Sequence, residues 1–109
     1  MNKDKAGLIC GLDENQQAEL KLKYGFLIVG TVTQGENVYN AIFREPDFKV
    51  LEATGSLAKN NEVKATIALY DNCIVVADQE VTGRDFLRLK AVEAVAQHMN
   101  SFTVSVKNL

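Results

Sequence analysis

The sequence predicts one small α+β domain, and three observations carry that prediction. Residues 26–33 ("FLIVGTVT") and 38–43 are adjoining runs rich in β-branched and aromatic side chains, joined by a short link containing Gly35. Near Pro46 the apolar spacing changes from a period of two to one of 3.6. At 109 residues the chain has the length of a single domain, large enough to bury roughly 65% of the surface that its unfolded form exposes. The expected architecture is a β-hairpin, with a C-terminal third strand if that strand pairs within the chain, packed against three to four helices. The first twelve residues are the expected flexible part.

Each element has a local cause. Asp13 followed by Gln16 is a capping-box variant, and "ENQQAELKLKY" supplies strong helix formers up to Gly25, which predicts a helix over Glu14–Tyr24. The two β-rich runs then form the hairpin. Pro46 cannot continue a strand's hydrogen-bond ladder, while Asp47 suits the positive end of a helix dipole. The stretch "REPD" therefore ends the second strand and starts a helix without any glycine-rich loop. Phe48, Leu51 and Ala58 are expected to face inward on that helix, with Lys49 and Glu52 outward. Gly55 costs about 1 kcal/mol relative to Ala in a helix interior, which predicts a bend or an early end there.

Asn60 or Asn61 caps the next helix, where Val63, Thr66, Ile67 and Tyr70 recur on one face and Ala65, Leu69 and Cys73 on a second. The run "CIVVAD" reads as either an extended link or a strand. Thr82 with Asp85 resembles a capping box and opens the most regular helical pattern in the chain, residues 83–99. Its expected buried stripe is Phe86, Leu89, Val92, Ala96 and Met99, and its wet face Arg84, Arg88, Glu93 and Gln97. Finally, Phe102, Val104 and Val106 alternate with Ser and Thr, the pattern of a half-exposed strand. Such a strand either pairs with the hairpin or stays open to a neighbouring chain, and the sequence leaves both open.

Composition removes several classes of function. A net charge of −2 and a pI near 5.3 argue against nucleic-acid binding, which depends on clustered Lys and Arg. The densest basic residues, Lys21 and Lys23, then Arg84, Arg88 and Lys90, read as two solvated helix faces. No apolar run approaches the roughly 20 residues that a membrane-spanning helix needs. Ile9 stands where a lipoprotein cleavage site needs a small residue before Cys10. Cys10 and Cys73 lie far apart with no CxxC motif, and His98 is the one histidine. That is neither a zinc pattern nor a disulfide framework, and reduced, mostly buried thiols in a cytoplasm are expected.

No catalytic set assembles from the remaining candidates, so neither enzyme activity nor a metal or cofactor is expected. His98 lacks a nominated carboxylate partner and a nucleophile. Asp78 and Glu80 lack the regular oxygen-ligand spacing of a calcium loop. Cys73, among apolar residues at a helix end, reads as inert. Arg44, Glu45 and Asp47 form either a binding fork or a local ion pair that steadies the strand-to-helix corner.

The stretches "LKLKYGF", "AIFREPD", "YDNCIV" and "ADQEV" occur in this order over residues 20–109. In them the chain resembles a group of small phage-encoded proteins of tailed phages and prophages of the Bacteroides lineage. Glu45 and Ile74 stand where a basic and an aromatic residue are expected in that group. The resemblance implies a tail assembly chaperone or related morphogenesis factor, acting in the bacterial host cytoplasm by binding a phage tail or other virion protein and forming homo-oligomers. In that reading Arg44, Glu45 and Asp47 at the corner and the exposed edge of the hairpin are the candidate partner surfaces. Separately, the alternation of Phe102, Val104 and Val106 makes the terminal segment the candidate self-association element. A virion structural component, such as a connector or a minor tail or capsid protein, is the alternative. A small-ligand-binding module is a further one.

Overall fold

A computed structural model describes residues 8–109. In chain order its elements are α1 (Glu14–Tyr24), β1 (Leu27–Gln34), β2 (Asn37–Arg44), α2 (Phe48–Ala58), α3 (Glu62–Cys73), β3 (Ile74–Ala77), α4 (Gln79–Gly83), α5 (Asp85–Ala91) and α6 (Glu93–Asn100). The protein is an α+β domain in which a hairpin and a third strand form one antiparallel sheet, ordered β1-β2-β3.

The hairpin closes through a two-residue loop, since Gln34 pairs with Asn37. Gly35 takes φ +60° and Glu36 is not among the positive-φ residues, the arrangement of a type II′ turn. Alternation then sorts the side chains. Ile28, Gly30 and Val32 share one face with their register partners Phe43, Ala41 and Tyr39, and this face meets the core. Val29, Thr31 and Thr33 lie on the other face.

The third strand is β3, the run "CIVVAD" that the sequence left as link or strand. It pairs with β2 through Ala41 with Ala77 and Ile42 with Val76. The C-terminal alternating segment, expected as a strand, has no strand partner among the described residues. Residues 101–109 are non-helical and exposed throughout; β3 holds the second edge of β2, and among the described residues no strand pairs with the outer edge of β1.

Helix starts follow their caps closely. Asp13 and Gln16 make both bonds of a capping box, and the Asp47 and Asn61 side chains accept from the backbone N–H groups of Val50 and Lys64. Helix faces follow less well. On α2 the buried residue is Val50, while Phe48, Leu51 and Ala58 are exposed, and the helix packs chiefly against α3. The helix also runs through Gly55 to Ala58. On α3 burial draws on both stripes: Ala65 and Cys73 of the second and Tyr70 of the first are buried, Leu69 is half-buried, and Val63 and Ile67 are exposed.

The predicted helix over 83–99 is divided. Gly83 ends α4, Arg84 takes extended backbone, and Val92 separates α5 from α6. Of the expected stripe Val92 is buried, and the break gives the rest of the buried set to Leu87, Ala91 and Val95. Phe86 and Ala96 are exposed, while Leu89 and Met99 are half-buried. Gly30 makes this seam possible. A Cβ at that position would lie 2.6 Å from the Ala91 carbonyl oxygen and 3.1 Å from the Ala94 Cβ. The bare backbone of β1 thus lets the α5–α6 junction settle onto the sheet beside Phe43.

Candidate functional site

The strand-to-helix corner and the terminal segment, separate candidates in the sequence, meet at His98. β2 ends at Arg44, so Glu45 emerges from the end of the sheet, and α6 brings His98 to the same place one turn before its end. His98 Nε2 lies 2.6 Å from Glu45 Oε2. An ionised carboxylate only accepts, so Nε2–H donates. Phe26, just before β1, stacks on the imidazole at 5.0 Å between ring centres and 19° between planes. Phe102 meets the same ring edge-on, at 5.0 Å and 81°. The His98 side chain is only 16% exposed as a result.

This cluster fixes the root of the terminal segment and leaves the rest free. Ser101 adds its backbone N–H and its hydroxyl, both donated to the His98 carbonyl. Beyond Phe102, Val104 and Val106 are each 89% exposed. Of the six candidate residues, Glu45 and Phe102 are therefore brought together, and Val104 and Val106 extend from them. Arg44 and Asp47 are not part of the cluster. Asp47 caps α2, and Arg44 makes no ion pair among the described residues. The local ion pair that the sequence offered for the corner is therefore absent among the described residues, and Asp47 serves as a helix cap instead.

As chemistry, the cluster has a base and a carboxylate to orient it. The Ser101 hydroxyl is engaged with a backbone carbonyl, and no hydroxyl or thiol is hydrogen-bonded to the His98 ring among the described residues. Among those residues no group of three or more His, Cys, Asp or Glu side chains is placed to hold a metal ion. No helix among them is long and apolar enough to cross a membrane.

The remaining candidates have structural duties. The Asp78 carboxylate accepts from the Asn40 N–H at 2.6 Å, while the Asp78 N–H donates to the Asn40 carbonyl at 2.9 Å, so this acid fastens the end of β3 to β2. The Cys10 thiol donates to the carbonyls of Asn40 and Val76 and lies beside Asp78. Burial, with the Asp78 charge second, pushes it up to about 12. Burial raises the Cys73 thiol as well, partly offset by the Arg44 charge. Neither thiol is prepared as a nucleophile.

Two of the surface clefts flank α5. One, of about 380 Å³ between α3 and α5, is lined by Val63, Ile67, Tyr70, Asp71, Arg88 and Leu89. Its one guanidinium is paired with Asp85 and lies 6.0 Å over the Tyr70 ring, which leaves little of it for an anion. The other, of about 320 Å³, runs along β1 beside Val29, Thr31 and Thr33, with Lys90, Glu93 and Gln97 on its far wall.

No protein family, curated protein or solved structure matches the chain. The His98 cluster had no signal in sequence that could have located it, because Glu45 and His98 are 53 positions apart. The only hint was a lone histidine close to the end of the last helix.

Proposed function

We propose that this chain is a non-enzymatic assembly protein that works by binding other protein chains, within the phage tail morphogenesis class that its sequence resembles. The carrying observation is the terminal segment. Its root is held by Phe26, Glu45 and His98, and its apolar side chains beyond that root face water. A monomer gains nothing from displaying Val104 and Val106 in this way, whereas a partner that adds or accepts a strand covers them. The partner is a tail or other virion protein, and the place of action is the host cytoplasm before the particle is complete.

Co-expression of the tagged chain with the tail genes of the same phage, followed by pull-down and mass spectrometry, tests the reading. A recovered tail protein that is lost with Val104→Asp in the full chain is the expected result. Retrieval of no phage protein, together with a small molecule that raises the melting temperature, overturns it in favour of ligand binding. Finding the chain in purified particles would instead make it a virion component.

A further inference from the structure

The free edge of β1 has a definite hydrogen-bonding register. In a hairpin closed by two residues, Gln34 and Asn37 exchange backbone bonds, and the exchange repeats at every second pair. The intervening residues of β2, such as Asn40, must then turn their N–H and C=O away from β1. Asn40 does so, since both groups bond Asp78 on the β3 side. By the same register Leu27, Val29, Thr31 and Thr33 direct their backbone groups outward from the opposite edge. No backbone partner for them exists among the described residues. Val29, Thr31 and Thr33 are also the residues that line the cleft beside α6.

That cleft is shaped and lined for an added strand. One wall is unpaired backbone, and the helix side offers Ala91, Ala94 and the ion pair of Lys90 with Glu93. A strand laid there would direct alternate side chains toward the alanines and the others into the open row of Thr31 and Thr33. The terminal segment has that pattern: Phe102, Val104 and Val106 on one side, Thr103 and Ser105 on the other. Its length suits the edge too, because residues 103–109, beyond the root at Phe102, extend nearly as far as the eight residues of β1 do. In its own chain it leaves the domain at the Phe26 end of β1, with Phe102 held on His98, and runs into solvent.

We infer that the terminal segment of one copy adds as a strand to the β1 edge of a second copy, lying in the cleft between β1 and α6. This rests on the assembly reading above and names the self-association surface within it. The apolar row of the segment covers the half-exposed Ala94, and its backbone satisfies the outward groups of Val29, Thr31 and Thr33.

Two full-length variants separate the halves of the contact. Val104→Pro removes an N–H from the segment, and Val29→Lys places a charge on the edge; both side chains are exposed, so the fold should tolerate either change. Light scattering over a wide concentration range should show an oligomer for the wild type and monomers for each variant alone. Mixing the two variants should restore a heterodimer, since one retains an intact segment and the other an intact edge. A monomeric wild type, an oligomer indifferent to Val29→Lys, or a mixture that stays monomeric would overturn the inference. Protected amides at 103–107 in a monomer would do so too, by placing the segment in its own cleft. None of these results touches capture of a phage protein, which the pull-down decides separately.

Discussion

α1 and the α5–α6 pair make opposite use of their sequences. α1 has a complete capping box, an acidic first turn, basic residues in its last turn and Gly25 at φ +83° as its stop, yet it buries none of its residues. α5 and α6 have no side-chain cap at either start, yet they and Val92 between them supply Leu87, Ala91, Val92 and Val95 to the core. Caps decide where a helix begins, and burial decides whether the domain depends on it. The local signals that made α1 easy to read are independent of the contacts that hold the molecule together.

The sharpest way to break this contrast is Leu87→Ala. Leu87 is 3% exposed, and truncating a buried Leu typically costs about 2 to 5 kcal/mol. We expect a large fall in the urea midpoint, against a small one for Leu89→Ala on the half-buried side of the same helix. Equal falls would mean that the break at Val92 does not set the buried face.

Gly30→Ala should come next. The new Cβ would press on a backbone oxygen that cannot rotate away, and overpacking of this kind costs about 1 to 3 kcal/mol. Thermal unfolding should show a clear loss, and Gly55→Ala, which meets open space in α2, should be neutral or stabilising. If Gly30→Ala were silent, the α5–α6 junction would not rest on β1 as described.

Cys10 marks the boundary between the two regimes, since its turn is pinned to β2 and β3 while the helix that follows is not. Its thiol lies at about 12 against an ordinary 9.0, so the fold holds that proton more tightly than the unfolded chain does. The associated stability is whole below about pH 9 and is lost as pH rises toward 12. Cys10→Ser should therefore flatten the loss of stability over that window, as read by the difference in melting temperature from the wild type. In the native protein at pH 8 the thiol should react with an aromatic disulfide far more slowly than a peptide cysteine does.

Asp13→Ala should have the smallest effect on the domain. A lost N-cap costs its helix about 1 kcal/mol, but α1 contributes nothing buried. Far-UV helicity should drop while the cooperative midpoint stays where it was. A midpoint shifted as far as that of Leu87→Ala would show that α1 is coupled to the core after all.

What was legible in the sequence follows the same division. Asp13, Gly35, Asp47 and Asn61 act on residues within a few positions of themselves, so α1, the hairpin, and the starts of α2 and α3 could be read directly. The inward faces of α2 and α5 depend on contacts made from elsewhere in the chain. Phe48 and Phe86 are large and apolar but face water, while small Ala41 and Ala91 are buried because Gly30 opens the seam between them. For the site, the sequence nominated Glu45 and Phe102 separately. Only the fold, by ending β2 and α6 side by side, joined them through His98 and Phe26.

The freedom of the segment beyond Phe102 also governs how long any complex lasts. Each residue fixed on capture costs about 1 to 2 kcal/mol of backbone entropy. A typical hydrogen bond gained in exchange returns a net of about 0.5 to 1.5 kcal/mol. The two nearly cancel, so the residual affinity comes from a few side chains such as Val104 and Val106. Such a complex forms readily and dissociates readily. On the proposed reading, one neighbour could be exchanged for another that offers a better-fitting edge, with no cleavage or energy source needed to free the segment.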